Sequence, residues 1–142
     1  MIQRIAILAL VSFLIFTLPN VAHGIEPLDR AVINDERLVN LSGASLGEHI
    51  IVNQQVQITA KITNAQDENQ DFVYIVQIKD ENDIVVKLGW ISGSLTSYQS
   101  FSPSLSWTPK ESGVYTAEIF VWDSLLYQDA LTRSVALEII TS

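Results

Sequence analysis

Cysteine is absent from this 142-residue chain. That excludes disulfides, thiolate metal sites and a cysteine nucleophile, so any fold must rest on its apolar core alone. Basic residues are scarce: 8 Lys and Arg stand against 16 Asp and Glu, for a formal net charge of −8. An acidic chain repels phosphate backbones and anionic lipid headgroups, so neither nucleic acid nor a charged membrane surface is expected as a partner. Histidine is nearly missing; beyond residue 24 only His49 remains. No stretch after residue 24 carries helical periodicity, a long apolar run, an internal repeat or low complexity.

The N-terminus is different. Met1-Ile-Gln-Arg4 is a short positive start, and Ile5 to Phe16 is almost wholly apolar. Pro19 follows, then the small residues Ala22 and Gly24 at the spacing a signal peptidase reads. Residues 1–24 are therefore expected to be a signal peptide helix, cleaved after Gly24. The alternative is an uncleaved anchor, because no charge interrupts Ile5 to Ile25. Pro19, Asn20 and His23 make the last third a poor hydrocarbon segment and favour cleavage. The cut removes a single charged residue, Arg4, so the exported chain is more acidic still.

Residues 25–37 are polar and mixed in charge, and are expected to form a linker or loosely docked arm. From 38 onward the pattern is period two. Val56, Ile58, Ala60 and Ile62 alternate with Gln55, Gln57, Thr59 and Lys61, which places one face in a core and the other in water. Phe72, Tyr74, Val76 and Ile78 form the apolar face of the next strand. Asp80–Asp83 is a turn leading to a return strand over 84–91; Asn82 and Asp83 tolerate the positive φ that tight hairpins need. Residues 100–107 alternate again, and Pro103 marks an edge strand because it lacks an N–H. Further strands are expected over 114–122 and 134–140, with Leu38–Leu41 first and Ile50–Val52 as a second piece of it. About seven short strands without helical crossovers predict one all-β antiparallel sandwich over residues 38–142.

Two stretches carry a resemblance. Trp107-Thr-Pro109-Lys-Glu-Ser-Gly113-Val-Tyr115 resembles the turn into the sixth strand of immunoglobulin-like domains, where a Gly-x-Tyr opens the strand and the hydroxyl ties back to the corner. Asn53–Asn64 is similar to the second strand of the immunoglobulin-like modules of archaeal and bacterial secreted and cell-surface proteins. The resemblance implies Tyr115, Gly113, Pro109 and Trp107 as a structural corner. It also implies that the 64–71 and 123–131 loops share one end, and the 80–83 and 108–113 turns the other. Ala117 stands where antibody-type domains carry their second disulfide cysteine, and Asn53 where the surface modules often carry Gly. The likeness is thus to the disulfide-free surface modules.

Candidate chemistry is thin. Gly43-Ala-Ser45-Leu-Gly47 matches a nucleophile elbow, but that motif needs a following helix and an oriented base, and His49 is too near in an extended chain. Asp67, Asn69, Asp71, Asp123 and Asp129 offer hard oxygens on neighbouring loops, a candidate calcium set, although Phe72 stands where an EF-hand requires Gly. Asn40-Leu-Ser42 is an N-glycosylation sequon. Trp90 and Trp107 are expected to pack on the core. If Tyr115 faces inward, strand parity turns Phe120 and Trp122 outward, beside Val73 and Ile75, as an apolar patch for a partner.

The expected function is a non-enzymatic, extracytoplasmic interaction module, secreted or at the cell surface, that binds a protein partner or itself. The alternatives are an accessory subunit of a membrane complex held by its N-terminal helix, and a carbohydrate-binding module. No cofactor is expected beyond the candidate calcium, and no enzyme, since no nucleophile–base pair or complete metal site is present.

Overall fold

A computed structural model of the chain describes residues 24–142. The signal-peptide helix expected over residues 1–24 falls, apart from Gly24, outside the described residues. Ten strands and no helix occupy the described chain. They are β1 (Ala31–Val39), β2 (Ser45–Leu46), β3 (His49–Ile50), β4 (Val56–Asn64), β5 (Gln70–Lys79), β6 (Val85–Leu95), β7 (Ser100–Phe101), β8 (Ser104–Trp107), β9 (Gly113–Trp122) and β10 (Val135–Thr141). Three of them are two-residue pieces.

One sheet runs β2-β1-β4-β7, with β8 also pairing β4; the other runs β3-β10-β9-β5-β6. Every pairing is antiparallel except β3 with β10, which is parallel. That exception arises because residues 45–50 cross between the sheets: β2 pairs β1, and β3 then joins β10 in the other sheet. The expected single strand over 100–107 is split into β7 and β8. Pro103 sits buried between them, and its carbonyl accepts a 2.8 Å bond from the Thr59 hydroxyl.

The core is the set of inward positions that period two selects. Val56, Ile58, Ala60 and Ile62 from β4 meet Phe72, Tyr74, Val76 and Ile78 from β5, all buried. Tyr115, Ala117, Ile119 and Val121 from β9 join them, with Ile139 from β10. Each buried aliphatic side chain contributes about 1.5–3 kcal/mol of transfer free energy. With no disulfide available, this layer carries the stability. Tyr74 links the two sheets directly: its hydroxyl donates to the Ile58 carbonyl at 3.3 Å, and burial pushes its phenol well above the usual range.

The arm expected over 25–37 is corrected in its second half, because β1 begins at Ala31. Ala31 is buried and Ile33 packs on the core, but a bulge between Asn34 and Arg37 breaks the alternation. Asp35 takes φ 56° there and pairs with Arg37. The bulge concentrates the charged residues in mid-strand, which disguises the segment as a linker.

Candidate functional site

The two ends of the sandwich are built by different devices. At the end formed by the 80–84 and 108–113 turns, Tyr115 is buried and its hydroxyl donates to the Glu111 carbonyl at 3.1 Å. Trp107 meets the Tyr115 ring edge-on, with centroids 5.0 Å apart. Thr141 Oγ1 donates to the same Glu111 carbonyl at 2.8 Å, and the Asn53 amide to the Pro109 carbonyl at 2.9 Å. Gly113 opens β9 at φ 154°, a backbone setting that L side chains rarely adopt. Trp107, Gly113 and Tyr115 thus come together, while Pro109 is held by Asn53 in the adjoining turn. Burial first, and then the carboxylates of Glu111, Asp80 and Glu81, raise the Tyr115 phenol. An open cleft of about 560 Å³ lies here, lined by charges of both signs, among them Asp80, Lys87, Lys110 and Glu111.

At the other end Asn64 is fully buried and does the tying. Its Nδ2 donates to the carbonyls of Glu68 at 2.7 Å and Thr96 at 3.1 Å, while its Oδ1 accepts from the Gln66 amide at 3.0 Å. Gln66 Nε2 continues the network to Gln70 Oε1 at 2.8 Å. Sequence reasoning assigned Asn64 no such role; a buried Asn ending an alternating strand was the one available signal.

The outward patch lies on the β5–β9 face at the Asn64 end. Register places Trp122 opposite Val73 and Phe120 opposite Ile75. The Phe120 and Trp122 rings are 6.1 Å apart and tilted by 55°. Phe120 and Trp122 are half-buried, whereas Val73 and Ile75 are only 4% and 6% exposed, although neither belongs to the central core cluster. All four share the outer face, but Val73 and Ile75 are covered on it. Val73 and Ile75 form a second, outer apolar layer; in register Ile75 lies between Trp90 and Phe120, and Val73 between Ser92 and Trp122.

One of those neighbours is Trp90, which the sequence placed against the core. It sits opposite Ile75 on β6 and is 52% exposed, on the outer face with Phe120. The cause is a bulge in the β5–β6 pairing. Lys79 faces Val85, but Ile78 already faces Lys87, so one extra residue on β6 flips the parity of everything after it. Without the bulge Trp90 would oppose Tyr74 and point inward. Trp107, by contrast, is buried as expected. Along the same face the patch turns polar: Gln77 Nε2 bonds Glu118 Oε2 at 3.1 Å, and Lys79 Nζ pairs with that oxygen at 3.0 Å.

The remaining candidates are not assembled. Asp123 Oδ1 is engaged by its own loop, accepting from the Ser124 amide at 2.5 Å and the Asp129 amide at 3.1 Å. Asp129 pairs with Arg30 at 3.0 Å. Asp67, Asn69 and Asp71 are exposed, and among the described residues no three His, Asp or Glu side chains converge as metal ligands would. Ser45 lies in β2 and His49 in β3, strands of opposite sheets, and no helix follows Ser45. Asn40 caps a turn, its Oδ1 accepting from the Ser42 amide at 3.0 Å, the Ser42 hydroxyl at 2.7 Å and the Ala44 amide at 2.9 Å.

No protein-family model matches the chain, and no curated protein matches it in sequence. Its fold does have solved counterparts. It is similar to the C-terminal domain of Wzt, with a TM-score of 0.61 at 15% identity, covering 80% of this chain and 74% of that one. It is also similar to a CARDB domain from Pyrococcus furiosus, solved in complex with di-metal ions, with a TM-score of 0.54 at 14% identity, covering 81% and 91%. A third likeness, to a β-glucosidase from Listeria innocua, has a TM-score of 0.55 at 12% identity and spans 79% of this chain but 16% of that one. Together with the two packed sheets and the tyrosine corner, these define an immunoglobulin-like β-sandwich. At such identities the likeness extends to the fold alone.

Proposed function

We propose that this chain is a non-enzymatic immunoglobulin-like module of the secreted or cell-surface kind, which binds a protein partner through the outer face of β5, β6 and β9. The observation that carries it is the second apolar layer. Val73 and Ile75, outside the core, share a face with Trp90, which is half exposed, and with Phe120 and Trp122, which are half-buried. Aromatics held on a rigid sheet lose little entropy on binding, and such anchors dominate interface energies. The N-terminal pattern of Arg4, the apolar run Ile5–Phe16 and the small residues Ala22 and Gly24 supports export. The metal ions of the CARDB neighbour are not carried over, because no ligand cluster is present among the described residues.

A photoreactive residue placed at Trp122 or, on the opposite sheet, at Lys61 tests the surface in the native host. The expected result is a discrete crosslinked product from position 122 and none from 61. Equal yields from both would refute the assignment. Intact mass tests export: the protein outside the cytoplasm is expected to begin at Ile25.

One observation favours a second reading, a membrane-complex subunit retained by its N-terminus. Residues 27–31 run beside 129–132, joined by the Ala31 amide to the Leu131 carbonyl at 3.1 Å and by the Arg30–Asp129 pair. The adjoining loop holds Leu126 and Tyr127 at 79% and 76% exposure. An anchored chain would hold that apolar tip near its membrane. A native protein beginning at Met1 and released only by detergent would decide for this reading.

A further inference from the structure

We infer that the free edge of β6 is a homodimer interface, at which two copies of this chain pair antiparallel about a two-fold axis through Trp90. This goes beyond the partner reading above and stands whether or not the outer face binds another protein.

The edges of the sandwich differ in how far they are guarded. A long strand with unpaired N–H and C=O groups is a template for another strand, and proteins normally guard it. The edges of the other strands are guarded. β1 carries the Asp35 bulge, the charges Asp35, Glu36 and Arg37, and β2 across its end. The β7–β8 edge is broken by Pro103, and β10 is partly covered by β3. β6 is the least guarded: it has one charge and one bulge, both near its start, and no proline or covering strand. It is an 11-residue strand without proline, and Lys87 is its single charge. Within the described residues its backbone over 85–94 is bonded to β5 and to nothing else. Its bulge lies at the turn, between Ile78 and Lys79, and leaves the rest of the strand regular. Val86, Leu88 and Trp90 stand about half exposed along it.

The sequence of this strand chooses the occupant. Folding β6 back on itself about Trp90 sets large residues against small ones from Val86 to Ser94, Trp90 itself excepted. Lys87 meets Gly93 of the second copy, Leu88 meets Ser92, and Gly89 meets Ile91. No like charges meet, and no acidic residue lies in the strand, although the chain as a whole is strongly acidic. Trp90 meets its own mate as a cross-strand aromatic pair, a stabilising arrangement. The two five-stranded sheets become one. The apolar stripe Phe120–Ile75–Trp90 then continues across the axis into the second copy. A closed two-fold pairing of this kind uses the edge up, so it ends at the dimer.

The natural absence of cysteine makes the register directly testable in the full-length chain. The double variant Leu88→Cys with Ser92→Cys places one thiol opposite the other across the axis twice. Under mild oxidation it is expected to give a disulfide-linked dimer, and each single variant is expected to link at least about tenfold more slowly, its thiols lying several residues apart. Independently, Leu88→Lys with Ser92→Lys should raise the dimer dissociation constant in sedimentation by about tenfold or more, with the melting temperature unchanged. A chain that stays monomeric at every concentration overturns the proposal. So does a dimer that forms without the cysteine pair linking, or one that the lysines leave untouched.

Discussion

The outer faces of the two sheets differ sharply. On the β4 sheet the outward positions are Gln57, Lys61 and Thr63, answered across the ladder by Ser106, Asn34 and Ser100. Even the buried Thr59 is satisfied by the Pro103 carbonyl, and Thr63 shares a 2.7 Å hydroxyl bond with Ser100. Apart from Val32, half exposed opposite Thr63, this face is polar. On the β5 sheet the equivalent positions are Val73, Ile75, Trp90, Phe120 and Trp122. The fold does not require them, because one inward layer already closes the core. The difference teaches that the aromatic face is a surface kept apolar, whereas the β4 face is simply the outside of the protein.

Substitutions on adjacent residues of one strand sharpen the contrast most. Ile119→Ala removes a fully buried side chain and is expected to cost about 2–5 kcal/mol, measured by chemical denaturation. Its outward neighbour Phe120→Ala should cost about 1 kcal/mol, since the ring keeps part of its surface in water. If both cost the same, the inside–outside distinction fails. Asn64→Ala leaves the carbonyls of Glu68 and Thr96 and the Gln66 amide without their partner; about 2–3 kcal/mol is expected, with faster hydrogen exchange confined to that loop end. Tyr115→Phe should lose about 1 kcal/mol, the size of one tertiary hydrogen bond, and Tyr115→Ala several times that. On the polar face, Lys61→Ala should shift stability by less than about 0.5 kcal/mol and leave association unchanged.

What the sequence disclosed follows from period two. The inward sets of β4, β5 and β9 were legible because alternation alone separates the faces. The corner was legible because Gly113, Tyr115 and their spacing carry a specific backbone demand. Two features were hidden for one reason, and a third for another. The bulge in β1 disguised a strand as an arm, and the bulge at Ile78/Lys79 turned Trp90 outward. A single inserted residue inverts parity, and no side chain in the sequence announces it. Asn64 was hidden because its partners are backbone carbonyls of loops distant in sequence. Parity within β9 separates Phe120 and Trp122 from the core positions, whereas the side taken by Trp90 depends on the register of a hairpin.

In the proposed function the aromatic face serves a partner and not the core. Trp122→Ser tests it when thermal stability and association are read on the same preparation. Trp122 is half-buried on the outer face, so the expected result is a folded domain, destabilised by no more than about 2 kcal/mol, whose recovery with its native partner falls at least about tenfold. An unfolded variant would place Trp122 in the core. A stable variant whose association is untouched would show that the face is not the binding surface.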